Sequence, residues 1–225
     1  MYPIQNAGGH VGLSAREYPI AAATAIVVGQ VVKLSGGLVV SAVAGETGPI
    51  LGIAAENHSA QADALNERST GLSIKVYDNP ELIFECKAPE FEASGGTATT
   101  VTAAASDVAC ATADAFNGGY LQLLSKGESS GNSDGEGQLI RVTDYAQAES
   151  VSTFTRESGG TAAAGDVFRV YPPVGAVSVC ALDAGTRTHF VLTGAGCSKI
   201  KVIGHDYERG TLRLMAVEHT LGVEN

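Results

Sequence analysis

The chain has 225 residues, 44% of them hydrophobic and 17% charged, and its 24 acidic and 14 basic side chains leave a formal net charge of −10. This composition excludes a disordered chain, which is poor in apolar residues and rich in charge. It also argues against a nucleic-acid-binding protein, because phosphate contacts need clustered Lys and Arg. The 28 glycines and the 6% aromatic content indicate small side chains on short strands joined by tight turns.

The first twenty residues, MYPIQNAGGHVGLSAREYPI, lack the basic region followed by an apolar stretch that characterises a signal peptide. No apolar run reaches the roughly 18 residues that a membrane helix needs. We therefore expect a chain that is synthesised in the cytoplasm, is not exported and has no membrane partner. Residues 1–19 show too little periodicity to fold alone and are interpreted as a flexible N-terminal arm.

Residues 20–95 carry the alternating pattern typical of antiparallel strands. Two apolar-rich runs, at 31–35 and 38–43, are joined by Gly36-Gly37. This pair predicts a hairpin, because a two-residue turn of the primed type needs positive φ.

The pattern continues toward residue 95. ILGIAAE, at 50–56, predicts a third strand. Runs at 72–77 and 82–87 flank DNPE, where the Asn-Pro step turns the chain, and they predict another pair of strands around a turn. Residues 20–95 are therefore interpreted as a small β-barrel or sandwich module.

The next segment is the one place where a helix is expected. Ser106 or Asp107 can cap a short helix that runs through Phe116 and ends at Gly118-Gly119. Alanine and aspartate in this stretch fit a helix better than its valines and threonines do.

Residues 96–225 otherwise predict further strands. Two runs surround a Gly/Ser-rich tip in YLQLLSKGESSGNSDGEGQLIRVTDY, further strands are expected at 151–156 and 167–171, and a hairpin around DYERG is expected from 199–205 and 211–219. Turn signals every 8 to 15 residues are typical of sandwiches and barrels. The fold class is therefore predicted as all-β: two small antiparallel modules, 20–95 and 96–225, after the arm.

One string resembles a catalytic motif. Gly127-Glu128-Ser129-Ser130-Gly131 matches G-x-S-x-G and follows a strand-like run. A nucleophile elbow needs a helix directly after the serine, whereas NSDGEG follows here, so we interpret the string as a flexible hairpin tip. No catalytic residue is assigned, and the chain is predicted not to be an enzyme.

The motifs that suggest a metal or cofactor site are also incomplete. NSDGEG resembles the start of a calcium loop, but the glutamate expected at its twelfth position is Thr143, so a solvated acidic turn is expected instead. His205 and His219 lie on the two arms of the last predicted hairpin and could approach each other, but a third ligand is missing. No Walker motif occurs, and Gly194-Ala195-Gly196 lacks the context of a dinucleotide site. No metal and no cofactor are therefore predicted.

The four cysteines are Cys86, Cys110, Cys180 and Cys197, and none forms a C-x-x-C pair. Their even number permits two disulfides. Cys86, however, alternates with apolar residues as a buried strand residue would, and a cytosolic site of synthesis favours free thiols. We expect buried free thiols and no structural zinc.

The segment EYPIAAATAIVVGQVVKLSGGLVVSAVAGETGPILGIAAENHSA resembles the start of capsid cement, or head decoration, proteins of tailed bacteriophages. The shared features are the opening apolar strand, GQVVKL with its Gly-Gly hairpin, and ILGIAAE. IKVYDNPELIFECKA resembles the next hairpin of that family, and the resemblance covers about residues 17–90.

This resemblance implies a non-enzymatic virion protein on the outer surface of the phage head, where it stabilises the capsid. The implied partners are the major capsid protein and neighbouring copies of the chain, most simply as a homotrimer. The arm is expected either to order on the capsid or on a neighbouring copy, with contacts from Tyr2, Pro3, Ile4, Val11, Leu13 and Tyr18, or to be a frayed terminus.

Two alternatives stay open. The chain could be a head-fibre or tail-associated protein in which residues 100–225 project from the particle. A different class would be a small β-barrel hydrolase or a carbohydrate-binding module. A sugar-binding protein would need exposed aromatic platforms, whereas the chain has no Trp and seven scattered Tyr.

Overall fold

The computed structural model describes residues 2–6, 14–20, 24–42, 49–59, 72–108, 110, 113–128, 130–148, 150–178, 180–182, 190–192 and 200–216. Strands are β1 Tyr2–Asn6, β2 Arg16–Pro19, β3 Val31–Ser35, β4 Leu38–Ser41, β5 Gly52–Ala54, β6 Ser73–Tyr77, β7 Leu82–Lys87, β8 Glu90–Gly96, β9 Thr100–Ala104, β10 Tyr120–Ser125, β11 Leu139–Ala148, β12 Val151–Arg156, β13 Val167–Tyr171, β14 Val177–Ser178, β15 Cys180–Leu182, β16 Phe190–Leu192, β17 Ile200–Asp206 and β18 Thr211–Ala216.

The prediction of an all-β chain is confirmed, since these residues form strands and turns and contain no helix. The strands make a first sheet, β2-β6-β5-β3-β4, a closed barrel, β10-β11-β12-β9-β8-β13, a second sheet, β1-β7-β18-β17-β14, and the separate pair β15-β16. No helix in the described part of the chain is long and apolar enough to span a membrane.

The first sheet contains the predicted Gly-Gly hairpin. Strands β3 and β4 pair directly around Gly36 and Gly37, whose φ angles of 59° and 81° are those a primed two-residue turn requires. Strand β5 pairs with β3 on one side and β6 on the other, so the third strand is confirmed as well. A parallel bridge between Ile20 and Val39 brings the two ends of the sheet together around an aliphatic core of Ile20, Ile26, Val32, Val39, Leu51, Ala54, Ile74 and Val76.

The interpretation of β6 and β7 as the two arms of one hairpin is wrong. Strand β6 pairs with β2 and β5 in the first sheet, whereas β7 pairs with β1 and β18 in the second. The DNPE segment therefore carries the chain from one sheet to the next. A local turn signal cannot report this, because both partners of β7 are distant in sequence: β1 lies at the start of the chain and β18 near its end.

The closed barrel is built from residues 90–171, and its interior is aromatic. The ring of Phe91 stacks on Phe154 and Phe168, with centroids 5.2 and 5.9 Å apart. Alternate positions of its strands are buried, as the period of two requires. Because every strand has two neighbours, this barrel presents no free sheet edge.

The helix expected through Phe116 is wrong: the described residues of that segment form turns. Asp114 adopts a left-handed φ of 63°, and its N–H donates to the carbonyl of Tyr145 on β11. Phe116 is completely buried and makes edge contacts with the rings of Tyr145 and Phe154, 4.6 and 5.2 Å between centroids. The segment is therefore held by the barrel that it plugs, which overrides its helix propensity.

The second sheet joins distant parts of the sequence. The predicted C-terminal hairpin is confirmed, with β17 and β18 paired from Asp206↔Thr211 to Ile200↔Ala216. Its buried face belongs to one continuous apolar cluster with residues of the first sheet and with the barrel interior. The members from the two sheets are Leu82, Phe84, Cys86, Ile200, Val202, Leu212, Leu214, Val31, Ala42, Ile50 and Ile53.

The sheets divide the chain differently from the predicted modules. Residues 2–6 and 16–19 of the arm pair with β7 and β6, so both take part in sheets of the chain itself. Strand β7 falls within the predicted module 20–95, yet it pairs with β18. The boundaries 1–19, 20–95 and 96–225, taken as independent units, stay a prediction.

Candidate functional site

Four of the six residues predicted to contact a capsid lie in the two sheets. Tyr2, Pro3 and Ile4 belong to β1, where Tyr2 lies opposite Glu85 and a bulge falls between Pro3 and Gln5. Pro3 can be accommodated there because β1 is an edge strand. Val11 and Leu13 lie outside the described residues.

Tyr18, the sixth predicted contact, is engaged within the first sheet. Its ring packs against the aliphatic core and its hydroxyl donates to the buried carboxylate of Asp78, to which Arg16 is also paired at 3.6 Å. Burial, reinforced by the bond to Asp78, raises the pKa of Tyr18 to about 12. The hydroxyl therefore remains protonated and ties β2 to the end of β6.

A buried polar cluster involves the loop between β10 and β11, which was expected to be a flexible tip ending in a solvated acidic turn. That expectation is wrong for Asn132 and Asp134, which are only 3% and 4% exposed. Asp134 Oδ2 accepts a 2.7 Å bond from Nη1 of Arg156, itself 1% exposed, and Asp134 Oδ1 accepts the N–H of Gly160 at 2.6 Å. Arg156 Nη2 also donates to the Gly160 carbonyl.

Asp166 fixes the same loop from the other side. Its carboxylate accepts the Asn132 amide at 3.1 Å, the N–H of Gly127 at 2.9 Å and the N–H of Ala163 at 3.1 Å. Burial alone would raise the pKa of Asp166, but these bonds and one from the Ser130 hydroxyl outweigh it and hold the pKa below its usual value. The Asp166 carboxylate is therefore ionised at neutral pH and acts as a structural acceptor.

Two glycines permit this arrangement. A Cβ at Gly159 would lie 2.7 Å from Arg156 Nη1, and a Cβ at Gly160 would overlap Asn132 Oδ1 and the N–H of Ser133. The loops on either side can approach closely enough to bond only because neither position carries a side chain. We call Asn132, Asp134, Arg156, Gly160 and Asp166 the polar clasp.

The polar clasp accounts for the two motifs that suggested chemistry. In the G-x-S-x-G string, Gly127 donates its N–H to Asp166 and Ser130 Oγ accepts the N–H of Asn132, while Ser129 lies outside the described residues. The calcium-like string contributes Asn132 and Asp134, whose oxygens are already occupied by protein donors. Within the described ranges, no group of three or more His, Cys, Asp or Glu side chains could hold a metal.

His205 joins the second sheet to the barrel. Its Nε2 lies 2.7 Å from the carbonyl oxygen of Pro172 and its Nδ1 lies 3.0 Å from the hydroxyl of Tyr207. A neutral ring satisfies both, donating from Nε2 and accepting at Nδ1. Burial lowers the pKa of His205, and this outweighs the opposing effect of the Pro172 carbonyl. His219, predicted to approach it, lies outside the described residues.

The joint around His205 is mainly aromatic. Its ring contacts those of Tyr171 and Tyr207 at 5.6 and 5.4 Å, and Tyr207 also meets Tyr120 at 6.0 Å. The Tyr171 hydroxyl donates to Gln122 Oε1 at 2.9 Å. These groups are engaged with each other and lie between two packed elements, so they lock the barrel to β17.

The cysteine prediction is confirmed for two of its four members. Cys86 and Cys110 are buried thiols that form no disulfide. Burial raises the pKa of Cys86 to about 12, which leaves it protonated and unreactive. Cys197 lies outside the described residues, and Cys180 lies in β15.

Sequence reasoning missed the polar clasp because its polar members, Asn132, Asp134, Arg156 and Asp166, belong to residue types that are usually exposed. The one available signal was Arg156 itself, which occupies a buried-phase position in the alternation of β12. A charged residue at such a position requires a partner, but the sequence does not indicate which.

Comparisons of the chain with protein-family models, with curated proteins and with solved structures found no match. The resemblance of residues 17–90 to phage cement proteins therefore stays a prediction.

Proposed function

We propose that the chain is a non-enzymatic virion structural protein that binds the outer surface of a tailed-phage head and stabilises the capsid. The family resemblance of residues 17–90 motivates this proposal. In the proposed setting, the partners are the major capsid protein and neighbouring copies of the chain, and the protein is located on the outside of the head.

The observation that carries the proposal is the use of the buried polar groups. Asn132 donates to Asp166, Arg156 donates to Asp134, and Tyr18 and His205 tie strands together. Polar side chains that are fully engaged in hydrogen bonds within the chain hold its loops, and therefore its surface, in a fixed shape. A rigid β protein with well-fixed loops suits a role in which many copies each bind a modest area and gain strength through multivalency.

The arm is assigned a contact role within this proposal. Its strand β1 lies at the edge of the second sheet, and residues between β1 and β2 include Val11 and Leu13, two of the predicted contacts. A Val11→Asp/Leu13→Asp variant leaves the sequences of β1 and β2 intact and is expected to bind heads more weakly than wild type. Equal binding would remove these two residues from the contact surface.

The proposal is tested by sedimenting the purified chain with phage heads that were assembled without it. We expect the chain to pellet with the heads and to saturate at a fixed number of copies per capsid subunit. An unrelated acidic protein of similar size is the control for trapping. A chain that remains in the supernatant at every concentration would overturn the proposal.

A further inference from the structure

The segment that closes one end of the barrel contains the only Asn-Gly pair of the sequence, Asn117-Gly118. We call residues 113–119 the barrel plug. Asparagine is a thermolabile residue, because the peptide nitrogen of the following residue can attack its side-chain carbonyl. Glycine in that following position leaves the approach open, since it has no Cβ. Gly118 adopts a φ of 82°, which strains other residues, so the turn itself requires a glycine directly after Asn117.

The folded barrel restrains both of the reacting groups. The attacking atom, the backbone nitrogen of Gly118, donates its N–H to the carbonyl of Val142 on β11 at 2.9 Å. The Asn117 side chain donates from Nδ2 to Asp114 Oδ1 at 2.8 Å. Asn117 can therefore react only after the barrel plug has opened locally and has released Gly118 from β11.

The surroundings of Asn117 accommodate a neutral amide much better than a carboxylate. Asn117 Oδ1 is buried and has no hydrogen-bond partner among the residues that the structure describes. A buried polar atom without a partner already costs free energy, and a charged oxygen in its place costs more. The other carboxylate oxygen would replace the Nδ2 donor and face Asp114 Oδ1, so two negative charges would meet where one hydrogen bond now lies.

We propose that Asn117 is a deamidation site that reacts when the barrel plug opens, and that the product keeps the plug from closing fully. The Gly118 nitrogen bonds to Asn117 Cγ, its proton passes through water to Nδ2, and the Cγ–Nδ2 bond breaks to release ammonia and leave a succinimide. Water then opens the succinimide at either carbonyl and gives aspartate or isoaspartate at position 117.

Both products disturb the barrel plug. Each carries a carboxylate beside Asp114. Isoaspartate also adds a methylene to the main chain between two hydrogen-bonded groups, the N–H of Asn117, which donates to the Asp114 carbonyl, and the N–H of Gly118, which donates to Val142. The reaction needs no reactant other than water and is irreversible once ammonia is lost, so modified chains accumulate in proportion to the time that the plug spends open.

The first test follows the mass of the peptide that contains Asn117 while the purified full chain is incubated in mildly alkaline buffer, with or without denaturing urea. We expect deamidation to be at least about tenfold slower in the folded chain, which reacts only through its open fraction. Phe116→Leu, which weakens the packing of the barrel plug, should raise the rate in the folded chain. Asn132, whose amide donates to Asp166, is the internal control and should stay unmodified there.

Two results of this test would overturn the proposal. One is an Asn117 that stays unmodified even in the unfolded chain, which would mean that it is not a deamidation site. The other is an equal rate in the folded and the unfolded chain, which would mean that the barrel plug does not protect it.

The second test measures the effect of the product by thermal melts. Asn117→Asp should lower the melting temperature by about 2–4 °C. The same substitution in an Asp114→Asn background should lower it by less, because the like charge opposite position 117 is gone. Asparagine also tolerates the left-handed φ of 63° at position 114. The shift is modest because Asp114 is exposed and water screens part of the repulsion.

Wild-type chain deamidated by incubation and isolated by its additional negative charge should also melt below the unmodified chain. An unchanged melting temperature of this material and of Asn117→Asp would overturn the proposed effect on the barrel plug, and equal losses in the two backgrounds would contradict the role of Asp114. These measurements use no phage heads, so their results are independent of head binding.

Discussion

Arg156 shows how one charged residue can organise two loops. Its guanidinium is buried at the end of β12 and pairs with Asp134 at 2.7 Å. Removing one partner of a buried pair leaves the other charge uncompensated, which is far more costly than losing a solvated pair. The pair therefore holds the two loops together at the end of the barrel. This holds even if an apolar pair of the same volume would give the folded protein equal stability.

Replacing Arg156 with Met should lower the free energy of unfolding by about 3–5 kcal/mol, because Asp134 then remains buried without its cation. Arg141→Gln is the control, since its pair with Glu157 at 3.6 Å is more than half exposed on both sides and should contribute at most about 1 kcal/mol. Urea denaturation measures both. Similar losses of unfolding free energy in the two variants would show that Arg156 and Asp134 do not form a buried charge pair.

Gly160→Ala should destabilise the chain, because the added Cβ overlaps Asn132 Oδ1 and the N–H of Ser133. We expect a loss of about 1–3 kcal/mol, the range typical of overpacking. Gly131→Ala, in the neighbouring loop, meets nothing within 4 Å and should be nearly neutral. Thermal unfolding of the two variants compares them directly, and an unaffected Gly160→Ala protein would contradict the close approach of these loops.

His205 makes a definite contribution to the pH dependence of stability. Its pKa is lowered in the folded state, so the folded protein binds protons less readily than the unfolded chain. The stability that neutral His205 contributes to the fold is therefore fully present above the unfolded pKa of about 6.5. It is lost as the pH falls below that value, with a slope of at most about 1.4 kcal/mol per pH unit.

His205→Gln provides the comparison, because a glutamine can still donate to the Pro172 carbonyl without titrating. Urea denaturation between pH 7.5 and pH 5 should show wild type losing stability relative to the variant, the range being set by the unfolded pKa of about 6.5. Parallel pH profiles would show that His205 is not held neutral at the joint.

At the scale of elements, the success of a sequence prediction depended on where the partner strand lies. The β3–β4 and β17–β18 hairpins were predictable, because each strand pairs with its neighbour across a turn written in the sequence. Strand β7 was assigned correctly as a strand but to the wrong partner, since β1 and β18 are distant in sequence. The prediction of a helix through Phe116 was wrong because the Phe116 ring packs into the end of the barrel, against Tyr145 and Phe154. A short stretch of sequence around Phe116 does not show this long-range contact.

The β3–β4 turn offers a test of one element. Gly36→Val should cost about 1–2 kcal/mol, because a side chain at φ 59° approaches the following carbonyl although no other atom is near. Gly36→Asn should be close to neutral, since Asn tolerates the left-handed region. Chemical denaturation distinguishes the two substitutions, and equal costs would argue against a primed turn.

At the scale of the whole molecule, one apolar cluster runs through the first sheet, the second sheet and the barrel. Sequence patterns predicted the strands of this core but not its continuity, because burial on both faces of β7 depends on three parts of the chain meeting there. Likewise, the polar clasp and the contacts of His205 could be recognised only from the three-dimensional structure, which shows the strands that pair with β12 and β17.

Because one apolar cluster includes residues of both sheets and of the barrel, heat should unfold them in a single cooperative transition. Differential scanning calorimetry should give equal calorimetric and van't Hoff enthalpies. Two separate transitions would instead favour the predicted division into independent modules at residues 95 and 96.

The central claim, that the chain stabilises a phage head, is tested most directly by the melting temperature of heads assembled without it. Heads are heated alone, with saturating chain, and with the chain heat-denatured beforehand. The proposed function predicts a higher head melting temperature with the native chain only, because a ligand that binds the assembled state alone stabilises that state. An unchanged melting temperature at saturating, demonstrated binding would contradict a cement role and leave attachment without stabilisation.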